Sequence, residues 1–193
     1  MLGDLVGEEV ADVLETLDGV TDLAPFLERV PATHFDLDPR ALADATVTHA
    51  RPESPFAPVD RVVSLRRNSE SIRELSSIVA LDSAEQMEEQ AMESGPDATN
   101  EVVLQADVIE AILDNPDYRD QFERTASAGT VDFYRYDDRV PFLLGLLDDV
   151  VVLGATDDDG NPNVLVESDA PAVREWAERV YREYKAAATR YEG

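Results

Sequence analysis

Three groups of side chains in this 193-residue sequence have the types and spacing to do chemistry. The first is Arg61, Ser64, Arg66 and Arg67 in VDRVVSLRR, a basic island in a very acidic chain. At helical spacing Arg61 neighbours Ser64, and Arg66 or Arg67 continues the row, so the guanidinium forks could hold a carboxylate or phosphate bidentately. The same arginines could instead be consumed by ion pairs with Asp60, Glu70 and Glu74. The second group is Tyr134 and Tyr136 in VDFYRYDD. On a strand these share one face while Phe133 and Arg135 share the other. Tyrosines at a sheet end offer an aromatic body and a hydroxyl tip, which suits a small polar ligand and equally suits the border of a core. The third group, Asp157-Asp158-Asp159-Gly160-Asn161, resembles a calcium loop. It lacks a glutamate at the twelfth position from any of the three aspartates, and the tip of an Asp-Gly hairpin explains it without a metal.

Catalytic constellations are missing from the sequence. His34 and His49 stand fifteen residues apart with no metal-ligand spacing around them. There is no phosphate-binding glycine loop and no Gly-x-Ser-x-Gly elbow. Cysteine is absent, which excludes disulfides, thiolate metal sites and a cysteine nucleophile. Asp148 and Asp149 would face opposite sides of a strand and read as a turn. The only lysine, Lys185, lies among Arg and Glu, a context for a solvated charge and not a Schiff base. No nucleophile, base and orienting group can be assembled, so neither an enzyme nor a cofactor or metal is expected.

Charge restricts the partners. Asp and Glu number 42 against 16 Lys and Arg, a formal net charge of -26, and fifteen of the sixteen basic residues are Arg. Direct nucleic-acid binding needs a basic face, and none is visible. Acid scattered along the whole chain with lysine almost absent is the pattern expected of a protein adapted to high salt, where the screening length falls to about 3 Å at molar ionic strength. With 44% hydrophobic residues the chain can fold throughout. The first residues carry no basic signal-peptide region and no apolar run is long enough to span a membrane, so a cytoplasmic location is expected.

Periodicity supplies the elements that must position these residues. An amphipathic helix is expected from Leu2 to about Gly19, and a short one from Asp22, with Asp22 as its cap, ending by Pro31. Asp38-Pro39 can open another, and ATVTHA reads as a strand. From Pro58 the pattern becomes regular: helix VDRVVSLRR, strand SSIVAL, helix AEQMEEQAMES, strand EVVLQA, helices DVIEAILDN (capped by Asp107) and PDYRDQFERTASAG, strand VDFYRY, then strands through PFLLGLLDD and VVVLGATDDDGNPNVLVESD. A long helix follows, with Asp169 as cap. Its Val173, Ala177, Val180, Tyr184, Ala187 and Tyr191 make a heptad seam for another helix, either within the chain or in a second copy. Strands alternating with helices and closing in a hairpin predict an α/β fold, a mixed β-sheet covered by helices, with amphipathic terminal helices.

The stretch FLLGLLDDVVVLGATDDDGNPNVLVESDAPAVREWAERVYREY resembles the C-terminal part of archaeal winged helix-turn-helix transcriptional regulators of the methanogenesis-regulator type, common in haloarchaea, and RRNSESIRELSSI with DVIEAIL resembles their middle region. The resemblance runs from about Val59 onward. It implies residues 1–58 as a helical linker and irregular segment and residues 59–193 as a sensor domain with a phospholipase-D-like layout, similar to TrmB-like regulators. The phospholipase His-x-Lys-x-x-x-x-Asp motif is impossible here, because the only lysine has Glu183 two residues before it. No basic winged helix-turn-helix is found either, so the resemblance implies a piece of a longer regulator or a sensor without its reader. The expectation is a domain that binds a small metabolite effector at Tyr134 and Tyr136, with an arginine from the Arg61, Ser64, Arg66 helix, and that forms a homodimer through its terminal helices. DNA would be reached only through a separate winged head. A protein–protein interaction module without a ligand is the alternative.

Overall fold

The computed structural model describes residues 22–78 and 99–192. The helices expected at 2–19 and over AEQMEEQAMES therefore lie outside the described residues. One eight-stranded sheet organises the rest, in the order β1-β7-β6-β5-β2-β3-β4-β8. Its strands are β1 (Thr46–His49), β2 (Ile72–Ser76), β3 (Asn100–Gln105), β4 (Asp132–Tyr136), β5 (Leu143–Leu147), β6 (Val150–Thr156), β7 (Pro162–Ser168) and β8 (Thr189–Arg190). The run β2-β3-β4 is parallel and all other pairs are antiparallel, so the sheet is mixed, as expected. The helices are α1 (Ala57–Arg67), α2 (Ala106–Asp114), α3 (Pro116–Ala128) and α4 (Pro171–Ala187).

Register partners in neighbouring strands share a face, which sorts the core into two sides. On the front, α1 covers Ile72, Leu147, Val152 and Leu165, while α2 and α3 cover Val102, Leu104 and Phe133. On the back, α4 lays Val173, Trp176, Ala177, Val180 and Tyr181 over Leu75, Val103, Leu144, Leu146, Val151 and Leu153. The chain before Val59 joins this same core through Leu23, Phe26, Val30 and Leu42, and adds β1 beside β7. A helical turn over residues 22–27 ends ahead of Pro31, and Asp38 caps a 3-10 turn at Pro39–Leu42 by accepting from the Arg40 N–H at 3.0 Å.

The structure corrects several details. Of the strand expected at SSIVAL, residues 79–81 lie outside the described residues; the strand found begins four residues upstream, at Ile72–Ser76, and is buried on both faces. Charged Arg73 and Glu74 hid it from a hydrophobicity reading. Neither Asp107 nor Asp169 is a cap: Gln105 precedes α2 and Ala170 precedes α4, neither with a side-chain cap bond. Among the described residues, the heptad seam of α4 packs mainly on the sheet, in one core with Leu23 and Phe26 of the 22–27 turn. Tyr191 lies beyond α4, its N–H bonded to the Phe133 carbonyl and its ring 5.0 Å from Phe122 on the front. Asp148 and Asp149 do form the β5–β6 turn. Asp148 takes φ 47, and its carboxylate accepts the backbone N–H groups of Glu70 and Ser71 at 2.9 Å, tying this turn to the start of β2.

The back face carries the only tryptophan, whose indole N–H donates to the Asp36 carboxylate at 2.6 Å. Arg179 holds both oxygens of the same carboxylate at 2.7 and 2.8 Å. The Trp176 bond first, and then the Arg179 bonds, hold the Asp36 pKa below its ordinary 3.8. A depressed carboxylate pKa contributes stability that is present above the unfolded-state value and is lost as pH falls through the folded-state value. Trp176 emission should therefore titrate with a midpoint below 3.8, and Asp36→Asn should remove that step. A midpoint at or above the ordinary value, followed by fluorescence, would contradict the bonding described.

Candidate functional site

Helix α1 carries Pro58 in its first turn, where its ring is pre-set for the helix and no donor is needed. Its inward stripe is Pro58, Val62 and Arg66, one or two turns apart. A guanidinium thus occupies a core position. Arg66 is 7% exposed and Glu74, in the centre of the sheet, 1%. Arg66 donates from Nε and Nη2 to the two Glu74 oxygens at 2.6 and 2.5 Å, a bidentate pair that neutralises both charges in the interior. Glu74 faces Gly145 across the β2–β5 ladder. A Cβ on Gly145 would stand 2.6 Å from Val152 Cγ2, so this glycine lets Val152 pack beside Glu74, which is in ordinary contact distance at 3.7 Å. One turn back, Arg61 holds Glu167 of β7 at 2.8 and 2.7 Å, with Glu167 buried and Arg61 half-exposed.

Between α1 and the ends of four strands lies a small cleft with an open mouth. The carboxyl ends of β2 and β6 meet the amino ends of β5 and β7 there. Its walls are mainly apolar, with Val59, Val62, Leu143 and Leu165 prominent, and Arg66, Ser76 and Thr156 add polar groups. Gly154 deepens it, since a Cβ there would crowd Leu143 at 3.1 Å. Mostly apolar walls with a few convergent polar groups are what small-ligand sites present.

Of the residues singled out in the sequence, Arg66 borders this cleft, and Arg61 and Ser64 do not. Ser64 is half-buried, its carbonyl accepting from Asn68 Nδ2 at 2.6 Å, and Arg67 is exposed. Tyr134 and Tyr136 lie on the opposite, back face, beneath the end of α4. The sheet therefore separates the tyrosines from the arginines. Tyr136 packs on Tyr184 with ring centroids 5.0 Å apart. Lys185 sits 4.8 Å from the Tyr134 ring centre and donates to Glu101, which also accepts from the Tyr181 hydroxyl at 3.0 Å. Burial works to lower the Lys185 pKa, but the hydrogen bond and charge of Glu101, helped by Tyr134, outweigh it and raise the ammonium. Burial, with the Glu101 charge, likewise pushes the Tyr181 phenol up. The sequence reading placed Lys185 in solvent; it is instead part of this polar network.

Sequence reasoning missed Glu167 as the Arg61 partner, because the two are 106 positions apart. It did name Glu74 for the arginine island. The hairpin at Asp157–Asn161 is as expected: the Asp157 carboxylate accepts the N–H groups of Asp159 and Asn161 at 3.0 and 2.8 Å. Among the described residues, no three His, Asp or Glu side chains converge to hold a metal ion, and no helix is long and apolar enough to cross a membrane.

A mixed sheet with helices on both faces makes this an α/β domain, and its likeness to solved structures shows a phospholipase-D-like fold. Solved structures share the fold. The archaeal chromatin protein TrmBL2, described as showing a novel mode of DNA binding, aligns at TM-score 0.59 and 11% identity over 98% of this chain and 69% of that chain. Nuc from Salmonella typhimurium, a phospholipase D family member, aligns at 0.59 and 14% over 77% and 99%. NucT from Helicobacter pylori aligns at 0.55 and 12% over 76% and 98%. No curated protein sequence matches the chain. Residues 55–187 match the family model described as the middle domain of the methanogenesis regulatory protein FilR1, so the chain belongs to that family and is a regulatory-protein domain.

Proposed function

We propose that this domain is the effector-sensing part of an archaeal transcription regulator, that a small metabolite binds in the cleft under α1, and that it carries out no catalysis. The observation that supports the reading most is the cleft itself, with a buried arginine on its wall, in a family of regulatory middle domains. Ligands in open α/β sheets favour crevices beyond the carboxyl ends of strands, and here the crevice lies at those of β2 and β6. Tyr134 and Tyr136 serve the reading as part of the packing beneath α4, through which a change in the sheet would reach that helix. DNA is contacted through a separate winged head, and the regulator works in the cytoplasm. Absence of catalysis is supported by the lack of a His-x-Lys-x-x-x-x-Asp motif in this sequence.

A homodimer is part of this proposal, with a restricted surface. Since α4 buries its apolar seam on the sheet, it can offer a second copy only its charged face, where Arg182 and Glu183 stand. That also weakens the alternative of a ligand-free interaction module built on the same seam. The test is thermal unfolding in molar salt against a panel of central metabolites, because anything that binds the native state raises the midpoint. A shift with one chemical class is expected. A flat response across the panel would overturn the sensor reading in favour of the interaction module.

A further inference from the structure

We propose that the cleft selects a neutral molecule with a compact apolar body and one carbonyl oxygen, received by the unused edge of the Arg66 guanidinium; this rests on the cleft being the effector site. Arginine has two edges that can each take an acceptor. In Arg66 the Nε/Nη2 edge is filled by Glu74. No partner stands against Nη1 among the described residues, so two N–H groups, with the second of Nη2, remain on a side chain that borders the cleft.

The charge state of the pair decides the ligand's charge. Glu74 already compensates Arg66, and both are more than nine-tenths buried. A carboxylate on the free edge would set two negative charges against one positive in a poorly solvated place, in a chain of net charge -26. A carbonyl or amide oxygen takes the same N–H groups and adds no charge. The apolar body follows from the walls: Val59 and Val62 on the helix side, Leu143 and Leu165 on the sheet side. A purely apolar molecule would cover the Arg66 donors and offer them no acceptor, which penalises it.

Three matched probes separate these cases: 4-methylpentanamide, 4-methylpentanoate and 2-methylpentane, each titrated into the protein while the Arg66 side-chain N–H resonances are followed by NMR. The amide is expected to bind about tenfold more tightly than the other two and to shift the Arg66 signals. Val59→Trp, which fills the mouth, should abolish binding. In the double variant Arg66→Met, Glu74→Leu, amide and alkane should bind alike. Carboxylate or alkane binding as tight as that of the amide overturns this assignment and leaves the sensor cleft standing. If no probe and no panel metabolite gives binding that Val59→Trp removes, the assignment and the sensor cleft fall together.

Discussion

Replacing Arg66 by Met should lower folding stability by about 3–5 kcal/mol, and adding Glu74→Leu should restore most of it. The single change leaves the Glu74 carboxylate at the centre of the sheet, 1% exposed and without its bidentate partner. The double change leaves an apolar pair of similar volume, and such replacements of buried ion pairs are often neutral or stabilising. Glu74→Leu alone should be nearly as harmful as Arg66→Met, since it strands the guanidinium instead. Urea unfolding of all four proteins yields the coupling as a double-mutant cycle. Two single losses that simply added would show that the pair is not a unit. High salt should alter this coupling little, because buried charges are poorly screened, whereas the exposed Arg179–Glu183 pair should weaken.

Phe142→Ala should lower stability by about 3–5 kcal/mol through a different mechanism, the loss of packed aromatic surface. Phe142 is 2% exposed and lies parallel to Trp176 at 6.1 Å, with Phe35 edge-on to both. Truncation opens a void where β5 meets α4 and the segment before β1, so the tertiary contacts that surround it cannot all relax into the gap. Trp176 emission should shift to the red in the folded variant as the indole gains water. Unchanged stability would mean that the region around Phe35 and Trp176 repacks freely, contrary to the burial seen there.

The elements with ordinary hydrophobic periodicity were legible in the sequence. The strands β3, β4, β6 and β7, the hairpin at Gly160 and the Pro116 start of α3 all follow from alternation, turn chemistry and proline placement. What escaped has a common physical cause. The strand β2 carries Arg73 and Glu74 in its middle, and its burial is possible only because Arg66, from an element earlier in the chain, neutralises Glu74. The α4 seam has the right spacing for a coiled coil, but a helix presents the same stripe to a sheet, and only the sheet's position decides between them. Arg66 was legible as a functional candidate, though its commitment to Glu74 left two readings open. That Tyr134 and Tyr136 oppose the arginines across the sheet could not be read, because the relative faces of β4 and β7 depend on the whole strand order.

The central claim is that the cleft under α1 is the place where an effector acts. The most direct measurement compares the effector-induced rise in melting midpoint between the natural protein and Val59→Trp, in molar salt and at equal effector concentration. Val59 lines the cleft and is half-buried, so the larger side chain should occupy the mouth without disturbing the Arg66–Glu74 pair. The account predicts a midpoint rise in the natural protein and none in the variant. An equal rise in both would place the effector elsewhere and contradict it.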